Sequence, residues 1–335
     1  MKIGNVELGN FPLLLAPMED VSDPPFRALC KKQGADLMFT EFISSEGLIR
    51  HSEKSIQKLD IYEYERPIGI QIFGDKINSM REAAKIAEEA NPEIIDINYG
   101  CPVKKVAYKG AGAGILLDLP KMQSMTKEIV KMVTLPVTVK TRLGWDENSI
   151  KIIEVAKRLQ DVGVQALTIH GRTRKQMYKG KANWEYIEAV KNNPEIHIPI
   201  FGNGDINSPE KALKYREKYN VDGIMIGRAS IGYPWIFKQI KDFLNGNKKI
   251  KTPSIKERVD TVKQHLEFSI KWKGETLGLL EMRRHYTNYF RGIQNFKEHR
   301  IKLIQSLNYY KSLEILDDIS ESFTNKNIVN CEQIS

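Results

Sequence analysis

Ile94-Ile95-Asp96-Ile97-Asn98-Tyr99-Gly100-Cys101-Pro102 opens as a nearly continuous apolar run and ends in polar, turn-forming residues. A run this short and this rich in isoleucine reads as a strand covered on both faces, because a half-exposed strand would alternate. Seven further runs have the same character: Leu13–Ala16, Leu37–Thr40, Ile68–Ile72, Val137–Thr141, Ala166–His170, Ile198–Gly202 and Gly223–Ile226. The eight recur at a mean spacing of about 30 residues, the length of one strand-plus-helix unit. Helical patterns lie between most of them. Residues 79–90 place Met80, Ala83, Ala84 and Ala87 on one stripe, and residues 150–162 repeat the pattern with Ile153, Ala156 and Leu159. Ser208 is a good cap for a helix over Pro209–Tyr219 with proline at its first position. Eight such units predict an α/β fold, a closed (β/α)8 barrel. A doubly wound sheet is the alternative, but Ala16-Pro17-Met18 stands where its glycine-rich turn belongs.

The barrel does not use the whole chain of 335 residues. The strand-helix rhythm stops at Asn245-Gly246-Asn247-Lys248-Lys249, so residues 1–244 are assigned to the barrel and 245–323 to an all-α module. Helices are expected over Ile255–Lys271, Thr276–Arg291 and, with breaks, Lys297–Leu316. Leu266, Ile270, Leu279, Leu280, Tyr286, Phe290, Leu303 and Leu307 are the candidates for its interior. The polar residues 324–335 read as a disordered tail. Apolar residues make up 41% and charged residues 28%, which excludes a disordered or fibrous chain. No apolar run is long enough to span a membrane, and the first residues lack the core of a signal peptide, so a cytoplasmic protein is expected. Three scattered cysteines suit neither a disulfide framework nor a metal site. Cys30 reads as core and Cys331 as exposed tail. The net charge of +9 is localised: residues 241–311 hold 16 Lys and Arg against 7 Asp and Glu, while the rest balances at 35 and 35. A concentrated basic surplus suits a polyanion, since neutralising phosphates releases counterions.

In such barrels chemistry sits at the C-terminal ends of the strands. Those ends here carry Pro17-Met18, Gln71, Asn98 with Cys101, Lys140, His170 with Arg172, Asn203-Gly204-Asp205 and Gly227-Arg228. Burying such groups without partners would cost a few kcal/mol each, so a ligand is expected there. The glycines of the last two ends allow close backbone approach and Arg228 can clamp an oxyanion, which suits a phosphate-bearing cofactor. A flavin mononucleotide whose ring lies over Pro17-Met18, near Gln71, Lys140 and His170, is the leading reading. Cys101 is a rim thiol able to act as an acid or a nucleophile. Residues 172–184 interleave five basic residues with Tyr178 and Trp184, a pattern that can hold a nucleotide by phosphate contact and stacking.

At these residues the chain resembles the tRNA-dihydrouridine synthases, most of all their bacterial B-type subgroup. The motifs are Ala16-Pro17-Met18 with Asp23 and Phe26-Arg27, then Asp96 to Pro102, Lys140-Thr141-Arg142, His170 to Arg174 with Gln176, Tyr178, Gly180, Ala182 and Trp184, Asn203 to Ile206, and Gly227-Arg228-Ala229. The resemblance implies that Ala16, Pro17, Met18, Gln71, Lys140, His170, Asn203, Gly204, Asp205, Gly227 and Arg228 bind FMN. It implies that reduced flavin gives a hydride to C6 of a uridine in tRNA while Cys101 protonates C5. NADPH would be the transient reductant, with no dinucleotide fingerprint of its own. Asn98, Arg142, Arg172, Arg174 and Tyr178 would face the tRNA, joined by Arg283, Arg284, Arg291 and Arg300 of the basic module. No metal, membrane or obligate protein partner is implied. An FMN barrel acting on a free small molecule, of the dihydroorotate or enoate reductase kind, is the rival, and a non-catalytic RNA-binding barrel a more distant one. Neither rival accounts for both the complete rim and the basic helices.

Overall fold

The computed structural model describes the backbone as far as Glu332 and side chains as far as Phe323. The eight apolar runs form eight parallel strands: β1 (Leu13–Leu15), β2 (Met38–Phe39), β3 (Ile68–Phe73), β4 (Ile94–Tyr99), β5 (Val137–Arg142), β6 (Ala166–His170), β7 (Ile200–Asn203) and β8 (Gly223–Ile226). From β2 onward each pairs with its successor, and β8 pairs back onto β1 through Ile224↔Leu13 and Ile226↔Leu15. The ring closes between β1 and β2 at a single bridge, Leu14↔Leu37, supported by Leu15 N donating to Leu37 O at 3.0 Å. The structure is the (β/α)8 barrel expected from the spacing.

One helix or more follows each strand: α1 (Pro24–Lys32), α2 (Ser45–Ile49), α3 (Ile77–Glu89), α4 (Leu119–Met132), α5 (Ile152–Asp161), α6 (Glu185–Lys191), α7 (Pro209–Tyr219) and α8 (Ile236–Leu244). Local chemistry sets several of their starts. Asp23 accepts from Phe26 N at 3.0 Å and Ser208 from Lys211 N at 3.3 Å, each ahead of a proline in the first turn. In α5 the buried stripe is Ile152, Val155, Ala156 and Leu159, and Ile153 is exposed. The expected stripe was thus one residue out of phase at its start, where two adjacent isoleucines offer two registers about 100° apart.

Inside the ring, the side chains that point inward change character along each strand. Leu14, Phe39, Ile94, Ala166, Phe201 and Met225 form an apolar layer. An antiparallel hairpin, Lys2–Ile3 with Val6–Glu7, adds Ile3, Val6 and Leu8 to that layer and closes this end. Two residues further along, on the same face, come Asp96, Thr168, Asn203 and Gly227, then Asn98 and His170. The polar mouth is therefore a consequence of strand alternation: on β4, β6 and β7 the inward set is greasy at the bottom and polar at the top.

After α8 the chain builds a helical module from α9 (Ile255–Lys273), α10 (Glu275–Tyr289), α11 (Lys297–Gln305) and α12 (Tyr309–Glu332). Leu266, Leu279, Tyr286, Phe290 and Leu303 are buried in its core and Ile270 packs against it. Leu280 and Leu307 are not interior, contrary to expectation; both are exposed. Leu280 adjoins buried Leu279, so the helix turns it away, and Leu307 lies in the connection between α11 and α12. Gly278 lets α9 and α10 cross closely, since a Cβ there would stand 3.0 Å from Ile270 N. The expected disordered tail, 324–335, falls on residues whose side chains, and for 333–335 whose backbone, lie outside those described; α12 extends to Glu332. Cys331 belongs to that stretch, whereas Cys30 is fully buried on α1.

The module is docked on the barrel. Phe26 of α1 lies 5.6 Å from the His265 ring and 4.9 Å from the His285 ring. Gly232 N donates to His285 Nδ1 at 3.2 Å, and buried Lys273 pairs with Asp23 at 2.7 Å and also with Glu281. Trp272 Nε1 donates to Asp60 at 2.9 Å. No helix among the described residues is long and apolar enough to cross a membrane.

Candidate active site

The barrel mouth is organised by a relay of hydrogen bonds across three strands. Thr138 Oγ1 donates to Asp96 Oδ1 at 2.5 Å, Gln71 Nε2 donates to Asp96 Oδ2 at 2.5 Å, and Asn98 Nδ2 donates to Gln71 Oε1 at 2.8 Å. The ladder register makes this possible by setting Gln71 beside Asp96, Asp96 beside Thr138 and Asn98 beside Lys140. Burial pushes the Asp96 carboxyl up to about 6, against the donors from Thr138 and Gln71 and the charge of Lys140. From the sequence Asp96 stands only as the first residue of the Asp96–Pro102 motif, with no role of its own, and Thr138 carries none either. Their signal was the i, i+2 spacing to Asn98 and Lys140, which puts them on the same inward face.

Asn98 aims the relay at Cys101. Its Oδ1 accepts from Gly100 N at 2.9 Å and Cys101 N at 2.8 Å, closing a turn just past β4. Arg142 Nε grips Gly100 O at 2.8 Å, and Ala113 N donates to Cys101 O at 3.1 Å. Gly112 adopts φ +52°, and a Cβ there would come within 2.9 Å of Cys101 Cβ. The thiol is thus held from several sides. Its burial raises its pKa, opposed by the Val103 N–H and by the charges of Arg142 and Lys140. At neutral pH the group is a protonated, buried acid at the rim.

Lys140 rises from β5 next to Asn98. Part of its side chain opens to the mouth, yet protein rings it, and burial beside Arg142 lowers its pKa to about 8. Among the described residues its ammonium has no hydrogen-bond or ion-pair partner. His170 lies nearby on β6, where burial and the charges of Arg142, Lys140, Arg172 and Arg228 hold its pKa well below the ordinary value. The imidazole is neutral. Arg172 Nη1 approaches its Nε2 at 3.2 Å, and since a guanidinium can only donate, the ring proton sits on Nδ1.

The loops after β6 and β7 meet through Arg172. Its guanidinium donates to both oxygens of Asp205 at 2.8 Å, to Gly180 O at 2.6 Å and to Lys179 O at 3.2 Å. Burial works against ionised Asp205, but the Ala182 N–H and Arg172 together hold its pKa below the usual carboxylate value. Arg228 Nη2 adds a longer contact to Asp205 at 3.3 Å, and its guanidinium stands 4.9 Å from the Tyr178 ring. Asn203 Nδ2 ties β7 to Met225 O at 2.8 Å. Gly204 has φ +122° and a Cβ there would meet His170 Cδ2 at 3.0 Å, so only glycine lets this turn lie against the imidazole. On the opposite side, Ala16 N donates to Ile226 O at 2.8 Å, and a Cβ at Gly227 would lie 3.7 Å from Met18 Sδ. Pro17 and Met18 follow on the same half-buried turn.

The structure therefore brings together, round one mouth, Ala16 to Met18, Gln71, Asn98, Cys101, Lys140, Arg142, His170, Arg172, Asn203 to Asp205 and Gly227-Arg228. Several have inward duties: Arg142 donates to Gly100, Thr173 and Met177 carbonyls and is buried, and Arg172 is buried as well. Tyr178 is exposed, between Arg142 at 5.6 Å and Arg228 at 4.9 Å. Trp184, expected as a stacking aromatic, is instead buried behind β7 against Tyr215, with its Nε1 on Gly204 O at 3.0 Å. It supports the turn and cannot meet a base. Arg174 is buried beside Tyr108 and Trp145.

Of the arginines expected to face RNA on the helical module, Arg284 is engaged with the barrel. It pairs with Asp20 Oδ2 at 3.0 Å and donates to Asp20 O at 2.8 Å, which sets α10 beside the β1 rim. Arg283 is partly buried with its Nε unpartnered among the described residues, Arg291 is exposed, and Arg300 is partly exposed. Part of the basic surplus is likewise internal: Lys241, Lys263 and Lys273 pair with acids, and Arg258 donates to Tyr289 and Arg291 carbonyls.

A family model described as dihydrouridine synthase matches residues 14–324. A tRNA-dihydrouridine synthase B of Pasteurella multocida is 40% identical over 294 residues, covering 88% of this chain and 88% of that protein. A protein of the same name from Pseudomonas putida is 39% identical over 303 residues, covering 90% and 89%. A probable tRNA-dihydrouridine synthase of Rickettsia prowazekii is 39% identical over 302 residues, covering 90% and 91%. Among solved structures, histamine dehydrogenase from Rhizobium sp. 4-9 aligns with a TM-score of 0.56 at 13% identity, over 79% of this chain and 50% of that one. At that identity the likeness speaks for the barrel alone.

Proposed function

This chain belongs to the dihydrouridine synthase family, and from that premise we propose that it reduces the 5,6 double bond of particular uridines in tRNA, with FMN as cofactor and NADPH as reductant. The observation that carries the reading is the pairing, across one mouth, of a protonated rim thiol with an unpartnered ammonium and a neutral imidazole.

The mouth fits a flavin phosphate. Among the described residues Lys140 has no partner, and the backbone N–H groups of Asp205 and Arg228 have no acceptor. Lys140, Arg142, Arg172 and Arg228 all act on His170, so the local field favours an anion. Gly204 and Gly227 keep the cradle free of Cβ atoms. In this reading Gly204, Gly227, Arg228 and Asn203 border the phosphate end, Asp205 orients the two arginines, and Ala16 to Met18, Gln71, Lys140 and His170 border the ring. When bound and reduced, the flavin supplies a hydride to the uracil.

Saturating the double bond also requires a proton, and Cys101 holds it. Burial keeps Sγ protonated past neutral pH, so the acid form is the resting form. The Asn98 turn fixes the direction of that sulfur. Lys140 and the Nδ1–H of His170 are donors facing the mouth, placed to hold negative charge that develops while the ring gains electrons. Arg142 and Asn98 line the side on which a uracil would lie between Cys101 and Lys140. A uridine must leave its stack to enter, a cost of a few kcal/mol that contacts to flanking phosphates offset.

The test uses purified protein loaded with FMN, an unmodified tRNA transcript and NADPH, with nucleosides analysed by mass spectrometry. Dihydrouridine is expected at defined positions of the transcript. A flavin-loaded protein that reduces a free pyrimidine or an enoate readily and tRNA not at all would overturn the proposal.

A further inference from the structure

We propose that Arg174, Tyr108 and Trp145 form a clamp for a nucleotide next to the reacting uridine, with Arg174 receiving a phosphate and Tyr108 a stacked base. This rests on the reading of RNA as substrate and adds to it a second place of contact beyond the mouth.

Arg174 follows β6 and is 5% exposed. Among the described residues its Nε and Nη2 are buried with no hydrogen-bond partner. Among the described residues no carboxylate is paired with it. Two ring faces lie against the cation: Trp145 at 4.6 Å and Tyr108 at 4.8 Å from their centroids. Those rings meet edge to face at 5.7 Å. The backbone is firm there, because Arg174 N donates to Gly144 O at 2.9 Å. Three buried N–H donors left without an acceptor are costly, and ring faces recover only part of that cost. A bidentate anion is the missing partner, and phosphate matches the fork.

The surroundings point to a nucleotide rather than a bare anion. Tyr108 and Trp145 also wall a hollow of about 350 Å³ together with Gly110, Leu117, Lys121 and one acid, Asp118, within the size range of small-molecule sites. Tyr108 is 68% exposed and presents its ring to solvent. Lys104, Lys105 and Lys109 flank it in the chain, exposed and without acid partners among the described residues. The same loop carries Cys101, since Gly112 packs on that cysteine and Gly114 on Ala107. A strand whose uridine reaches Cys101 passes this loop, so the neighbouring nucleotide is the natural occupant. An exposed aromatic beside a cation is how sequence-tolerant single-strand contacts are made.

The experiment measures the affinity of the FMN-loaded protein for an unmodified tRNA transcript as a function of salt, for wild type, Arg174→Gln and Tyr108→Ala. Flavin absorbance and the unfolding midpoint check the fold. Arg174→Gln is expected to weaken binding at least tenfold and to reduce the slope of log affinity against log salt by about 0.7–0.9, the share of one phosphate. Tyr108→Ala is expected to weaken binding by roughly 5- to 100-fold with the slope unchanged, as for one lost base stack. Because Tyr108 is largely exposed, that variant carries the test even if the arginine variant unfolds. Wild-type affinity and slope in both variants would overturn the clamp while leaving tRNA as substrate. A wild type that does not bind the transcript would remove the RNA reading and the clamp with it.

Discussion

Replacing Arg172 by lysine keeps the charge and removes the fork, and the structure sets the size of the effect. The guanidinium reaches Asp205 twice at 2.8 Å, Gly180 O at 2.6 Å, Lys179 O at 3.2 Å and His170 Nε2 at 3.2 Å from a side chain that is 2% exposed. A lysine is a point donor and can serve one or two of these at once. Removing one partner of a buried pair costs about 3–5 kcal/mol. Here Asp205 keeps its Ala182 N–H and some exposure, so roughly 2–4 kcal/mol is expected. At about 2–4 °C per kcal/mol, the midpoint of thermal unfolding should fall by about 5–15 °C. The effect should also depend on pH. Asp205 has a lowered folded pKa, so its stabilisation is fully present above the unfolded value near 3.8 and is lost as pH falls through the folded one. The gap between wild type and variant should therefore narrow in strong acid. Thermal melts from pH 7 to pH 3 measure both effects. A lysine variant melting within a degree of wild type at pH 7 would show that the fork does not hold these loops together.

Further outcomes follow from other contacts. Gly204→Ala places a Cβ 2.7 Å from that of Ala182 at φ +122°; it should destabilise by roughly 2–5 kcal/mol and lower flavin retention, measured by melts and absorbance. Turnover on tRNA should fall above about pH 8 as Lys140 deprotonates, before the Cys101 thiol, whose own value is raised; a pH–rate profile of Lys140→Arg should lose that limb. His265 is buried neutral with its pKa lowered to about 3, by burial and then by Lys273, so its contribution is whole above about pH 6.5 and shrinks below. Urea midpoints should show about 2 kcal/mol lost to this group between pH 7 and pH 5, and His265→Phe should flatten that dependence; an unchanged slope would contradict it.

Much of the barrel was readable because strands buried on both faces leave continuous apolar runs, and Ile94–Asn98 is as plain as any. The mouth was readable at strand ends for the same reason, since Gln71, Lys140 and His170 break apolar runs where nothing structural requires it. What escaped was set by tertiary neighbours. The bottom hairpin has two-residue strands too short to carry a pattern. Spacing alone puts Asp96 and Thr138 on the inward face, but that they bond to each other follows only from the ladder register that places them side by side. Trp184 looked like a stacking platform because sequence distance hides which face of β7 it covers. Tyr108, Trp145 and Arg174 come from three separate loops, and no local spacing links them.

The most direct measurement mixes chemically reduced, FMN-loaded protein with unmodified tRNA transcript in the absence of oxygen, for wild type and Cys101→Ala side by side. Wild type should reoxidise its flavin in step with the appearance of dihydrouridine, while the alanine variant binds the transcript, keeps its flavin reduced and forms product at least a hundredfold more slowly. Equal rates in the two proteins would contradict the assignment of Cys101 as the proton donor.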